Sequence, residues 1–134
     1  MKKNAFTLIE LLIAISIISV LSVIGLVVYK GVQSKTRDSI RKQDLNKLAM
    51  ALEVYAQQHN GKYIANSDNC TATVFSTTIA DYLSGGIAPQ DPQGRDYCYI
   101  STDGLTFTLC ANLENQENSL VSCPLGYNYG IEPN

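Results

Sequence analysis

Glu10 is the residue of this sequence whose surroundings make its chemistry most unusual. It is a carboxylate within an apolar run, preceded by the apolar residues of 6–9 and followed by an uncharged stretch from Leu11 to Tyr29. A charge inside a membrane helix costs roughly 2.5–3.5 kcal/mol, so it must stay hydrated near the headgroups or find a partner. If the chain were cut after Ala5, Phe6 would carry a free α-amino group one helical turn away. Pairing of this amine with Glu10, in the same or a neighbouring chain, would favour assembly in one register.

Cysteines are the second set of residues with chemistry of their own. There are four, at Cys70, Cys98, Cys110 and Cys123. None lies in a Cys-x-x-Cys motif, which argues against zinc binding and against thioredoxin-type chemistry. An even count in a small domain that follows an apolar anchor favours disulfides formed outside the cytoplasm.

The spacing of the cysteines favours one of the three possible pairings. A hairpin that sets Cys98 opposite Cys110 places the aromatic and aliphatic residues of both strands on one face and the two cysteines on the other. This register predicts a Cys98–Cys110 bridge. Cys70 would then pair with Cys123 and tie the loop after the helix to the C-terminal segment.

Catalytic and metal-binding patterns are missing from the sequence. The one histidine, His59, has no neighbouring acidic or cysteine pattern that would make a metal site. Asp91, Asp96 and Asp103 do not have calcium-loop spacing and are expected to be solvated turn residues. There is also no nucleophile–base motif and no glycine-rich phosphate loop. We therefore expect no catalytic residue, no metal and no cofactor, and we do not expect an enzyme.

The N-terminal run Lys2 to Leu12 resembles the processing site of type IV prepilins and type II secretion pseudopilins. It combines a basic leader, a small residue, the string Phe-Thr-Leu-Ile-Glu and a long apolar run. In that family a prepilin peptidase cuts before the Phe and methylates the new amine. The resemblance implies cleavage between Ala5 and Phe6, N-methylation of Phe6, and assembly through Glu10. The family usually has Gly where this chain has Ala5, and we expect cleavage because Ala is the smallest substitute.

A long N-terminal helix must position these residues. The apolar run up to Tyr29 has about the 20 residues that span a bilayer, and no cleavage site follows it as in an ordinary secretory signal. Beyond it, apolar residues at steps of three and four predict an amphipathic helix that the Asn60-Gly61 pair ends. The residues of this stripe are Leu45, Leu48, Leu52, Tyr55 and His59, with Ala49 and Ala56 beside them.

Short strand patterns follow the helix. Tyr97 to Ser101 and Leu105 to Leu113 predict two strands, and Tyr127 and Tyr129 have strand spacing in the C-terminal tail. These strands predict a small antiparallel sheet packed on the helix stripe, which is a pilin-like α+β fold.

Four segments follow from these patterns in a chain of 134 residues, a length that suits one domain. They are a cleaved leader at 1–5, a transmembrane or filament-core helix at 6–29, an amphipathic helix at 30–60 and a disulfide-bonded β head at 61–134.

Charge is distributed unevenly behind a net charge of −2. The basic neck, which runs from Lys30 to Lys62, has seven basic and three acidic residues, whereas the segment from Tyr63 to Asn134 has one basic and eight acidic. The positive-inside rule alone would place the head in the cytoplasm. The disulfides and the family resemblance place it outside, and we follow them. The basic neck is then a solvated helix face or a partner for acidic heads of neighbouring subunits, and DNA contact is the weakest alternative.

A structural function follows from this combination. The sequence predicts a subunit of a type IV pilus, held in the inner membrane as a precursor and stacked with copies of itself into a surface filament for adhesion, motility or DNA uptake. The implied partners are the prepilin peptidase, an assembly platform in the inner membrane and lipid. One alternative is a major pseudopilin of a type II secretion system, because Pro89 to Gly94 is similar to the segment before the sheet in those proteins. A monomeric, membrane-anchored binding module is the third class.

Overall fold

The computed structural model describes residues 6–66, 70–117 and 119–133, and its layout is α+β, as predicted. In chain order its elements are the helices α1 (Leu8–Gln58) and α2 (Thr73–Thr77), a 3₁₀ helix (Ala80–Tyr82), and the strands β1 (Cys98–Ile100), β2 (Thr108–Ala111) and β3 (Tyr129–Ile131). The chain divides after Ser34 into two compact units, each with its own internal contacts.

The first unit is the N-terminal part of α1, and its apolar side chains are exposed on every side. Each large apolar residue from Phe6 to Val32 is at least 51% exposed. The most apolar window of α1 has a mean hydropathy of 3.0, and none of that window is buried. By length and composition this helix could cross a membrane, as expected from the sequence.

Helix α1 ends where the Asn60-Gly61 pair predicted that it would. The helix ends at Gln58. Asn60 adopts a left-handed conformation with φ of 57°, and the Gly61 N–H donates to the Ala56 carbonyl at 2.8 Å. This bond is the one that closes a Schellman-type helix end.

The core of the second unit is formed by the predicted helix stripe and the sheet. Leu45, Leu48 and Leu52 are fully buried and pack in one cluster with Tyr99 and Leu109. Burial of a leucine side chain stabilises a fold by about 1.5–3 kcal/mol, so this stripe is a main source of the stability of the unit. The assignment of the stripe to the core is confirmed for the three leucines, whereas His59, at the end of the predicted stripe, lies beyond α1 and is exposed.

The sheet has three antiparallel strands in the order β1-β2-β3. Its register sets Cys98 opposite Cys110, as predicted, and Cys110 opposite Gly130. Tyr99 and Leu109 are paired one position along and belong to the core under α1. Because side chains alternate along a strand, the row Cys98, Cys110, Gly130 lies on the face of the sheet away from α1.

Disulfides join Cys70 to Cys98 and Cys110 to Cys123, with Cα atoms 5.0 and 6.0 Å apart. The predicted bridges Cys98–Cys110 and Cys70–Cys123 are therefore wrong, although the register behind them is right. Each strand cysteine bonds to a sulfur from a segment outside the sheet and not to its neighbour on the adjacent strand.

Two contacts explain the observed pairing. The Thr71 N–H donates to the Tyr99 carbonyl at 3.3 Å, which holds the adjoining Cys70 beside β1. On the other side of the row, Gly130 has no side chain, and a Cβ added there would lie 2.7 Å from the Cys123 sulfur. Cys123 therefore reaches Cys110 over the space that the glycine leaves open. A glycine inside a strand pattern was the sequence signal for this close approach.

Candidate functional site

Glu10 lies in the first turn of α1, where it forms a reciprocal pair with Thr7. Its Oε2 atom accepts hydrogen bonds from the Thr7 N–H at 2.9 Å and from the Thr7 hydroxyl at 2.7 Å. The Glu10 N–H donates back to Thr7 Oγ1 at 3.4 Å. This arrangement is a capping box, and it holds the carboxylate at the helix N-terminus, where the helix dipole favours negative charge. Sequence reasoning missed Thr7, although Thr-x-x-Glu before an apolar run is the signature of such a box.

Phe6 is placed close to this carboxylate by the same contact. The Thr7 N–H that donates to Glu10 belongs to the peptide unit directly after Phe6, and the Phe6 side chain is 77% exposed. Among the described residues, Oε1 of Glu10 has no hydrogen-bond partner, so it is available to a further donor. Ala5 lies outside the described residues, and cleavage between Ala5 and Phe6 stays a prediction.

Arg41 is the centre of a buried charge cluster in the second unit. Its side chain is fully buried, and all five of its N–H groups donate to side-chain acceptors. Two go to Asp91, and the others go to Asp38 at 2.8 Å, Gln93 at 2.9 Å and Glu114 at 3.1 Å. The hydrogen bonds with Asp91 and Asp38 raise the pKa of the Arg41 guanidinium above its ordinary value. The cluster fastens the turn at 91–93 and the residues at 114–115 to α1.

The carboxylates of this cluster stay ionised in spite of their burial. Burial opposes ionisation of Asp91, but the hydrogen bonds from Arg41 and from the backbone N–H groups of Gln93 and Arg95, with the charge of Arg41, together outweigh it and lower the pKa of that carboxyl. Burial also opposes ionisation of Asp38, and N–H donors of Glu114 and Asn115 outweigh it there. The pKa of Glu114 is lowered chiefly by its hydrogen bond from Arg37.

Asp91 is therefore not the solvated turn residue that the sequence indicated, since it is only 6% exposed. The expectation holds for Asp96 and Asp103, which are exposed. Asp103 accepts hydrogen bonds from the backbone N–H groups of Leu105 and Thr106, as turn aspartates commonly do.

The basic neck is also different from the expectation. Arg37 pairs with Glu114, Arg41 with Asp91, and Lys42 with Glu117 of the same chain. A solvated helix face is thus wrong for Arg41, which is fully buried, whereas Arg37 and Lys42 are paired but partly exposed. Their acidic partners lie 50 to 77 positions away in the sequence, so helix periodicity could not reveal the pairs.

Two buried tyrosines stay protonated near neutral pH. Burial raises the pKa of Tyr99 to about 12, and its hydroxyl donates to the Ile64 carbonyl at 2.7 Å. Burial, and then a hydrogen bond to Asp44, also raises the pKa of Tyr97 above its ordinary value. Both phenols act as hydrogen-bond donors that fasten the sheet to α1 and to the segment that follows it.

No group of three or more metal-binding side chains is placed to hold a metal ion within residues 6–66, 70–117 and 119–133. His59 is exposed and stacks on the Tyr55 ring, with the ring centroids 3.8 Å apart. The distinctive chemistry of the described chain is therefore the Thr7–Glu10 pair at the start of an exposed apolar helix.

Comparison with known proteins bears on the same segment. Neither the curated proteins nor the solved structures include a match to this chain. A family model described as the prokaryotic N-terminal methylation motif matches residues 1–26. That range contains Ala5, Phe6 and Glu10, the residues identified from the sequence. The chain therefore carries the prepilin motif of type IV pilins and pseudopilins at its N-terminus.

Proposed function

We propose that this chain is a structural subunit of a type IV pilus. The prepilin motif supports a member of the pilin or pseudopilin family, processed by a prepilin peptidase and assembled from copies of itself. The observation that carries the proposal is the first unit, whose apolar side chains are exposed all round and need lipid or other helices to cover them. The precursor resides in the inner membrane with its head outside, and the assembled subunit lies in a surface filament.

Glu10 supplies the register of assembly in this proposal. One carboxylate oxygen is held by Thr7, and the other is available to the amine of Phe6 in the same or a neighbouring subunit. A carboxylate among apolar helices is unfavourable when unpaired, so subunits stack where amine and carboxylate meet. The peptidase, the assembly platform and lipid are the partners that this route requires.

Substitution of Glu10 tests the proposal. We expect Glu10→Gln to lower filament incorporation by at least about 100-fold, because the Phe6 amine would be buried without its carboxylate, and about 3 kcal/mol corresponds to two factors of ten. Glu53→Gln is the matched control, because Glu53 is a carboxylate of the same helix within the second unit. The readouts are sheared filaments and intact mass, which should show loss of residues 1–5 and gain of one methyl group. Normal filaments from Glu10→Gln, or an uncut N-terminus, would contradict the proposal.

A major pseudopilin of a type II secretion system is the second candidate. It is favoured by the segment Pro89 to Gly94, whose Asp91 is buried against Arg41 and so has a structural role in the head. Deletion of the gene distinguishes the two. Loss of surface filaments with normal secretion supports the pilus, and loss of protein secretion without loss of surface filaments supports the pseudopilus.

A further inference from the structure

Exposed apolar side chains of the second unit lie on two separate surfaces. One is the apolar groove between α1 and the segment at 82–90, along which Met50, Val54 and Ile87 are exposed. The other is the leucine loop, residues 119–125 between β2 and β3, where Leu120 and Leu125 are completely exposed. Apolar groups are unfavourable in water, and a groove and a protruding loop of one chain can cover each other between copies.

The apolar groove has the size and the lining of a binding site. Its volume is about 790 Å³, and the buried residues Ala51 and Leu83 form part of its lining. Concave and mostly apolar sites of this size are typical binding sites in proteins. Among the residues that line it, Lys47 carries the charge, and its side chain is 60% exposed although it pairs with Asp44. The groove therefore favours an apolar occupant that brings an acidic group close to Lys47.

The leucine loop is fastened to the sheet on both sides of its first leucine. Cys123, which lies between the two leucines in the sequence, is bonded to Cys110 of β2. The Gly130 N–H of β3 donates to the Ser119 hydroxyl oxygen at 3.1 Å, directly before Leu120. A loop that is ordered in advance loses little conformational entropy when it binds, so burial of its side chains contributes more fully to affinity.

Charge on the two surfaces is complementary. The segment 112–125, which includes the leucine loop, contains Glu114 and Glu117 and no basic residue. The Glu117 side chain is 50% exposed even in its pair with Lys42, whereas the groove presents Lys47. Opposite charges across an interface fix its register and disfavour other partners. Residues 11–29 of a neighbouring apolar helix have no charge to meet Lys47, so the loop is the better occupant.

We propose that the apolar groove of one subunit binds the leucine loop of a second copy, as a head-to-head contact of the filament. The inference rests on the proposed function, because it requires copies that lie parallel in one assembly. Each head carries both halves of the contact, so a surface of one copy meets a different surface of the next. Such a heterologous contact produces an open filament unless its repetition closes into a ring.

The positions of the two surfaces along α1 favour the open filament. The leucine loop follows Glu117, which pairs with Lys42, whereas α1 lines the groove with Lys47, Met50 and Val54. Met50 lies about 12 Å further along α1 than Lys42, since each helical residue adds about 1.5 Å. Parallel copies in contact are therefore displaced along the helix axis. Each added copy advances along that axis, and a ring cannot close.

Photo-crosslinking in assembled filaments of the full-length chain tests the contact. With a benzophenone amino acid at position 120 in place of Leu120, we expect a crosslinked dimer in which the captured peptide contains Met50 or Ile87. Leu105 is the matched control, because it is an exposed apolar residue outside both surfaces, and the same probe there should capture neither peptide. Mass spectrometry of the dimer identifies the peptides. Capture by the Leu120 probe of another leucine loop, of residues 11–29 or of no second copy would overturn the inference.

Substitution of both leucines gives an independent test. We expect the double variant Leu120→Ser, Leu125→Ser to lower the amount of sheared filament by at least about tenfold, because the burial of two leucine side chains is lost. Leu105→Ser should leave the amount unchanged. Because all three leucines are exposed, the unfolding midpoint and the processed mass should equal those of the wild type. Wild-type amounts of filament from the double variant would overturn the inference and leave the pilin proposal intact. Absence of filaments from the wild-type chain would contradict the proposed function itself.

Discussion

Leu21 and Leu48 belong to the same helix, α1, yet Leu21 is 62% exposed and Leu48 is fully buried. The residues around Leu21 are not covered by any of the described residues of their own unit, whereas Leu48 packs under a sheet. Helix formation is therefore common to both regions, and what differs is the origin of the apolar contacts. The second unit supplies them internally, and the first must obtain them from lipid or from other copies.

Charged groups show the same difference. Arg41 has five hydrogen bonds to acceptors of its own unit, which together neutralise a fully buried guanidinium. Glu10 has only the donors of Thr7 within the described chain. A unit that satisfies its own buried charges can fold by itself, while a helix that leaves one Glu10 oxygen without a partner among the described residues remains open to a further donor.

Removal of Arg41 should have the largest effect on the second unit. We expect Arg41→Ala to lower the free energy of unfolding by about 3–5 kcal/mol, because Asp38 and Asp91 would be buried without their cation. Lys42→Ala is the control, and its exposed pair with Glu117 should contribute less than about 1 kcal/mol. Denaturant unfolding of the detergent-solubilised protein, followed by tyrosine circular dichroism, measures both. Equal losses of unfolding free energy in the two variants would show that the buried Arg41 cluster contributes no more to stability than an exposed ion pair.

A matched pair of leucine substitutions compares the two regions of α1 directly. We expect Leu48→Ala to cost about 2–5 kcal/mol, because it leaves a cavity under the sheet. Leu21→Ala should change the stability of the second unit by less than about 0.5 kcal/mol, since its side chain is outside that core. The same unfolding measurement applies, and a comparable loss from Leu21→Ala would mean that the two regions are not independent.

Acid should lower the free energy of unfolding of the second unit, because it removes part of the stabilisation that the Arg41 cluster provides. The pKa values of Asp38, Asp91 and Glu114 are lowered in the folded chain, so below the ordinary values of 3.8 and 4.5 the unfolded chain binds protons first. Stabilisation is complete above those values and is lost as the pH falls through the lowered ones. Unfolding midpoints from about pH 5 to about pH 3 should decline. The unfolding midpoint of Asp91→Asn should fall less steeply as the pH is lowered. A wild-type midpoint that does not change over this pH range would show that these carboxylates do not link stability to pH.

The smallest expected effect concerns the start of α1. Thr7→Ala removes the hydroxyl of the capping box and should weaken the first turn by about 0.5–2 kcal/mol, whereas Thr7→Ser should keep it. Amide hydrogen exchange of residues 8–11 in detergent reports this locally. The stability of the second unit should be the same in both variants. Unchanged exchange in Thr7→Ala would mean that the box does not order the helix end.

Local patterns predicted much of this molecule. The helix stripe, the Asn60-Gly61 end and the strand register all depend on neighbours a few positions apart, and the structure agrees with each. The Thr7–Glu10 box has the same local origin and was available from the spacing alone. The disulfide pairing and the burial of Asp91 were mispredicted, because both depend on segments that come together only when the chain folds back on α1.

The sequence by itself determined the features that lie within a single segment. These are the prepilin motif, the length of the apolar helix, the apolar stripe on the second half of α1 and the alternation of side chains along the strands of the sheet. Periodicity and spacing encode these features because a helix or strand presents its side chains in a fixed geometric order. The tertiary structure alone decided which sulfurs meet and which carboxylates surround Arg41. Those contacts join residues far apart in sequence, and they exist because Gly130 leaves space for Cys123 and because the turn at 91–93 closes over a buried guanidinium.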